Sequence, residues 1–170
     1  MRYGHPDRLT IRLVLLFRLF GVVAALVCPT GLALAQPKKG EIAYYTKVNV
    51  TAQKPDKTGK QMVTVTLVVE KDFFVFANPV GNEDFELTKI RVGVTANGKP
   101  TPAEIAYPPG ITVKDQVIGN YNVYKGQNTI PITVGRPPGD TGPLQVAVVM
   151  QGIGERGYCL LPSMVRVTVP

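Results

Sequence analysis

The chain predicts an all-β protein, an antiparallel β-sandwich that follows a cleaved export leader. Three observations carry this. Beyond residue 35, short segments rich in β-branched residues recur, several with alternating polarity. Gly and Pro turn signals separate them. No window of ten or more residues outside the leader sustains a 3.6-residue apolar period, so there is no amphipathic helix to build another class of core.

Residues 1–35 read as the leader. Arg2, Arg8 and Arg12 precede an apolar run over 13–27 that only Arg18 interrupts, and Ala33-Leu34-Ala35 has the small-x-small form that a signal peptidase accepts. Cleavage before Gln36 and an exported, periplasmic or secreted, mature chain are expected. The competing expectation is an N-terminal membrane anchor, since residues 19–35 approach the roughly 20 apolar residues a spanning helix needs. Pro29 and Thr30 speak against it.

Strands are expected over residues 42–50, 61–69, 73–77, 89–95, 121–124, 129–134, 144–150 and 164–169. Residues 61–69 are dense in Val and Thr, and residues 89–95 alternate cleanly, which suits a sheet with one wet face. Turns are expected at Asn97-Gly98, Pro108-Pro109-Gly110, Lys125-Gly126, Pro137-Pro138-Gly139-Asp140 and Gly142-Pro143. The organisation that follows is a leader at 1–35, an N-terminal strand and loop region at 36–60 and the sandwich domain at 61–170.

Loss of the leader leaves 15 basic and 11 acidic residues, a net charge of +4 in place of +7. The residual basicity is dispersed without interleaved aromatics, and the lysines at 54–60 share a turn with Pro55, Asp56 and Gly59; nucleic acid is therefore not an expected partner. The only histidine, His5, leaves with the leader. Histidine triads and histidine metal sites are then excluded, a lone thiolate cannot build a zinc site, and no cofactor is expected. Ser163 has no histidine to activate it.

The chemistry-bearing segment is Gln151-Gly152-Ile153-Gly154-Glu155-Arg156-Gly157-Tyr158-Cys159-Leu160-Leu161-Pro162. Of the two cysteines, Cys28 lies in the leader, so Cys159 has no partner within the mature chain. The segment resembles the signature Q-[GA]-C-x5-C-x-x-P of the N-terminal domain of the thiol:disulfide interchange protein DsbD. Three further stretches keep that family's order and spacing. Residues 73–79, Phe-Phe-Val-Phe-Ala-Asn-Pro, resemble its aromatic strand; residues 118–126 resemble its F-G-x-x-x-V-Y-x-G stretch; and residues 129–134 resemble the strand after it.

The resemblance, spanning 62–169, implies an immunoglobulin-like sandwich and an interchange domain that passes reducing equivalents from a membrane carrier to periplasmic partners. It aligns Cys159 with the second redox cysteine and Ile153 with the first. A thiolate must attack and a second thiol must resolve, so impaired or lost redox activity and a protein-binding role are expected. The alternative is accessory thiol-disulfide exchange through Cys159 alone. Expected partners are a periplasmic or extracellular protein, a thioredoxin-like protein or a separate membrane electron carrier, or a second copy joined through Cys159. Since the sequence runs out after the last predicted strand, reducing power is expected from a separate protein.

The resemblance also assigns Phe74 and Phe76 to positions where relatives carry tyrosine or histidine, and Gln116, Val117, Ile118 and Gly119 to a cap loop over the thiols. Together with Ile153 and Tyr158, these form the expected partner-binding surface. Cys159 itself fits three descriptions: a small apolar side chain packed between strands, an exposed thiol open to mixed disulfides, or a one-cysteine redox group. Arg156 and Lys125 are candidates to activate it if they lie close. Glu83, Asp84 and Glu86 lack calcium-loop spacing and read as an exposed loop rather than a cation site. Asn49-Val50-Thr51 is a glycosylation sequon in a predicted strand. Tyr44, Tyr45, Tyr107, Tyr121 and Tyr124 read as half-buried strand residues or as a binding face.

Overall fold

The computed structural model describes residues 36–154 and 156–170. The leader expected at 1–35 lies outside the described residues. Gln36 to Pro170 form one compact unit, and among the described residues no helix is long and apolar enough to cross a membrane.

Among the described residues, twelve strands make three antiparallel four-stranded sheets, the immunoglobulin-like sandwich architecture. The first sheet has the order β1 (Thr46–Ala52), β2 (Lys60–Val69), β9 (Gln127–Gly135), β6 (Ala103–Ile105). The second runs β12 (Ser163–Val169), β10 (Leu144–Met150), β4 (Arg91–Ala96), β5 (Lys99–Pro100). The third runs β11 (Gly152–Gly154), β3 (Phe73–Phe76), β8 (Tyr121–Tyr124), β7 (Ile111–Val113). This third sheet is made from strands of the other two as they run on: β2 reaches β3 through residues 70–72, β8 reaches β9 through Lys125-Gly126, and β10 reaches β11 through Gln151 alone.

Alternation decides the core. Val63, Val65 and Leu67 of β2, Ile130, Ile132 and Val134 of β9, and Leu144, Val146 and Val148 of β10 are all fully buried, and the intervening residues face outward. Each such side chain contributes about 1.5–3 kcal/mol when it leaves water.

Residues 42–45, expected as strand, are instead a 3-10 turn (Ile42–Tyr44) followed by β1 from Thr46. The Ile42 N–H donates to the Leu161 carbonyl, and its side chain is fully buried. Burying that side chain turns the backbone out of the ladder. Strands β5, β6 and β7 escaped the sequence pattern because they lie among Pro100, Pro102, Pro108 and Pro109 and are only two or three residues long.

Candidate functional site

The site is built on β11. Its register sets Ile153 opposite Phe74 of β3 on one side, and an antiparallel bridge sets Ile153 opposite Cys159 on the other. The flanking bonds run from Leu160 N–H to the Gly152 carbonyl, 2.9 Å, and from Gly154 N–H to the Tyr158 carbonyl, 3.0 Å. Ile153 and Cys159 are therefore a non-hydrogen-bonded pair, the narrow kind with Cα atoms about 4.5 Å apart and side chains on one face.

Two glycines make this hairpin fit. A Cβ at Gly152 would overlap the Phe74 carbonyl oxygen and the Ile42 side chain, and one at Gly154 would overlap the Tyr158 ring, which lies across it. Tyr158 and Phe73 consequently share the face opposite to Cys159. With Asp72 and Arg156 they line an open groove of about 330 Å³, and Phe73 stacks on Tyr45 at 3.7 Å between centroids.

On the thiol's face lies a second, smaller hydrophobic cluster: Phe76, Val80, Tyr121, Val123 and Ile153 are buried, with Phe74, Phe85 and Val113 packed against them. Phe76 stacks with Phe85 at 5.1 Å, and the Tyr121 ring tilts against both, at 5.9 and 5.2 Å. Cys159, at the edge of this cluster, is exposed. The description of Cys159 as a packed apolar side chain is thus overturned: the bridge places Cys159 on the outer side of β11, where no further strand covers it.

Residues 116–119, expected as a cap loop, follow β7. Asp115 Oδ1 accepts from the N–H of Val117 at 2.8 Å and of Ile118 at 3.1 Å, and these two bonds hold its carboxyl below the ordinary aspartate value. Asn82 donates to the Ile118 carbonyl at 2.9 Å, tying the loop to the 3-10 turn Glu83–Phe85. Gly119, at φ +82°, turns the chain back into β8. Val117 at the tip is 92% exposed and covers nothing.

A model of the family described as thiol:disulfide interchange protein DsbD, N-terminal, matches residues 42–169. The chain belongs to the DsbD N-terminal domain family. Solved structures agree in fold. The reduced N-terminal domain of DsbD from Neisseria meningitidis aligns with a TM-score of 0.51 at 15% identity, over 75% of this chain and 86% of that one. The complex between the DsbD N-terminal and PilB N-terminal domains of Neisseria meningitidis gives 0.50 at 15%, over 80% and 87%. The N-terminal periplasmic domain of ScsB from Proteus mirabilis gives 0.57 at 13%, over 74% of this chain and 46% of that one. No curated protein sequence matches significantly.

In this DsbD N-terminal-type domain the residues singled out in the sequence divide by depth. Gln116, Val117, Ile118, Gly119, Tyr158 and Cys159 are exposed, and Phe74 is half-buried with the Lys125 ammonium 5.5 Å from its ring centroid. Phe76 and Ile153, expected on the partner-binding surface, are buried beneath it. Lys125 is thus placed on Phe74, and Arg156 in the groove on the opposite face from the thiol. Glu83 and Asp84 belong to the 3-10 turn, Glu86 ends it and pairs with Lys89, and among the described residues no three potential ligands converge on a metal-sized site.

One contributor, Phe85, escaped the sequence reading, in which Tyr121 stands only among five strand tyrosines. Phe85 follows an acidic pair and gave no sign of packing on Phe76. Tyr121 brings a hydroxyl into the cluster where Phe74 and Phe76 have none. Burial pushes its phenol above the ordinary value of 10, and the negative charges of Asp115 and of the Cys159 thiolate push it the same way.

Proposed function

We propose that this DsbD N-terminal-type domain is an exported protein-docking module whose single thiol forms mixed disulfides with a thioredoxin-like partner and cannot resolve them. The observation that carries this is the Ile153–Cys159 pair: one exposed sulfur stands directly across the ladder from a buried isoleucine. In this reading Ile153 holds the place of the family's first cysteine, so the chain keeps the docking frame and loses the intrachain cycle. The mixed disulfide then waits for a thiol supplied by the partner or by a separate carrier.

Three things support the reading. The matched family is an interchange domain. Its structural neighbours include a complex of such a domain with a PilB domain. Exposed apolar residues also lie on the segment that carries the thiol and on the expected cap loop: Tyr158 and Leu161 are 50 and 65% exposed, and Val117 and Ile118 are 92 and 45% exposed. A periplasmic setting follows from the family and the expected leader. Docking without a covalent step is the second reading, favoured by Ile153 itself, which fills the cluster as a core residue does.

The test is capture. Mature protein, its Cys159 first converted to a mixed disulfide with an aromatic thiol, is mixed with a reduced thioredoxin-like protein whose resolving cysteine is replaced by serine; the partner thiolate displaces the aromatic thiolate, and disulfide-linked complexes are resolved under non-reducing conditions. A complex that forms with the parent and vanishes with Cys159→Ala supports the covalent reading. Binding that survives Cys159→Ala, with a thiol inert to alkylation near neutral pH, establishes docking alone.

A further inference from the structure

The face of the β11 hairpin opposite to the thiol carries a groove that exchange at the sulfur does not use. Asp72, Phe73, Arg156 and Tyr158 line it, and its volume of about 330 Å³ is at the small end of ligand sites. Two aromatic rings form its walls. Phe73, half-buried at the start of β3, is stacked on one face by Tyr45 at 3.7 Å between centroids, and Tyr45 meets Tyr44 edge to face at 5.0 Å. The Tyr158 ring lies against the β11 backbone at Gly154, whose missing Cβ makes room for it, and stays 50% exposed. Both rings are backed by the fold, so little side-chain freedom is lost when an apolar group lies on them.

The charges decide what fits. Asp72 and Arg156 bring one negative and one positive group to the same groove. The ion pairs among the described residues are Lys89–Glu86 and Arg136–Asp140, so Asp72 and Arg156 do not meet within 4.0 Å and do not neutralise each other. A simple cation would be drawn to Asp72 and repelled by Arg156, and a simple anion the reverse. A neutral sugar would leave both charges unmatched. A ligand with an ammonium and a carboxylate on one small body meets both and bridges the gap between them.

We propose that this groove binds a zwitterionic ligand of amino-acid type, a free α-amino acid or a short peptide. Its ammonium pairs with Asp72, its carboxylate with the Arg156 guanidinium, and its apolar or aromatic side chain lies against Phe73 and Tyr158. The site is independent of how Cys159 reacts, because the groove and the sulfur are on opposite faces of the hairpin. Arg156 and Tyr158 are exposed, so water screens the ion pairs and each adds little. The dissociation constant is then on the order of 1 mM.

Nuclear magnetic resonance titration of nitrogen-15-labelled mature protein tests this, with L-phenylalanine and L-alanyl-L-phenylalanine as probes. Saturable shifts of the amides of Asp72, Phe73, Arg156 and Tyr158 are expected, and the tighter of the two probes tells free amino acid from peptide. N-Acetyl-L-phenylalanine lacks the ammonium and L-phenylalaninamide lacks the carboxylate; each should bind about three- to fivefold more weakly than L-phenylalanine. Asp72→Asn, which keeps a residue tolerant of the φ of +70° there, should abolish only the preference over the acetyl compound. Arg156→Met should abolish only the preference over the amide. A merely structural role for either residue would not give that crossed pattern. Absence of saturable shifts with both zwitterions overturns the proposal, as does equal binding of the two singly charged analogues, or tighter binding of a neutral disaccharide such as maltose. The comparison of probes on the parent needs no variant, so it decides even where a substitution prevents folding.

Discussion

Ile153 and Cys159 face one another as a narrow pair across two antiparallel strands, fixed by the bonds between Leu160 and Gly152 and between Gly154 and Tyr158. The expected Cα separation of about 4.5 Å lies within the roughly 4.4–6.8 Å that a disulfide spans. The backbone is thus already arranged for a bond that the side chains do not permit.

Ile153→Cys should close that bond under mild oxidation. Thiol counting by mass spectrometry after alkylation is expected to find two free thiols in the reduced variant and none in the oxidised one. The short loop gives about 2 kcal/mol of stabilisation, and the lost isoleucine packing removes about 1–2 kcal/mol. Melting temperature therefore barely moves, and the thiol count decides. Two thiols that stay free would show that the narrow pairing is wrong.

Cys159→Ala should leave stability within about 0.5 kcal/mol of the parent in urea denaturation, because the side chain is exposed and fills no cavity. A loss of 2 kcal/mol or more would mean that the thiol is packed after all.

Gly152→Ala is expected to cost about 2–4 kcal/mol, since the added methyl meets the Phe74 carbonyl and the fully buried Ile42 and neither can retreat cheaply. Its thiol should also alkylate at an altered rate, because β11 carries the bridge to Cys159. A parent-like urea midpoint would refute the close approach.

Arg136 reaches Gln61 at 2.7 Å, Asp140 at 2.8 Å and the Gly142 carbonyl at 2.6 Å from a fully buried guanidinium, while Gln61 in turn donates to the carbonyls of Gln53 and Pro170. Arg136→Met strips partners from several buried groups at once and should cost about 2–4 kcal/mol by urea denaturation. The thiol, at the other sheet, should keep its reactivity.

Acid should act through Asp140, Asp115 and Asp56. In each, hydrogen bonds to the charged carboxylate hold the folded value below the ordinary 3.8: for Asp140 first from Gly142 N–H and then from Arg136, for Asp115 from Val117 and Ile118, for Asp56 from Thr58 and then Lys60. A depressed folded value gives stability that is present above the unfolded value and lost as the pH falls through the folded one. Urea midpoints should therefore stay level down to about pH 4 and drop below it. Asp140→Asn should flatten that drop, and an identical acid limb in the variant would count against the Asp140 contribution.

The sequence by itself determined the fold class, most long strands and the single cysteine beyond residue 35, because alternation over seven to ten residues and a residue count are local properties. It also determined the family, through spaced stretches at 73–79, 118–126 and 151–162. It misread residues 42–45, where a buried isoleucine wins over β-propensity. It also could not see β5 to β7, whose pairing depends on neighbours far along the chain. Only the tertiary structure decided that Cys159 is exposed, that Ile153 is buried opposite it, and that Phe85 and Tyr121 complete the cluster. Depth and facing follow from which strand lies beside which, and that is settled by long-range packing, which no short stretch of sequence encodes.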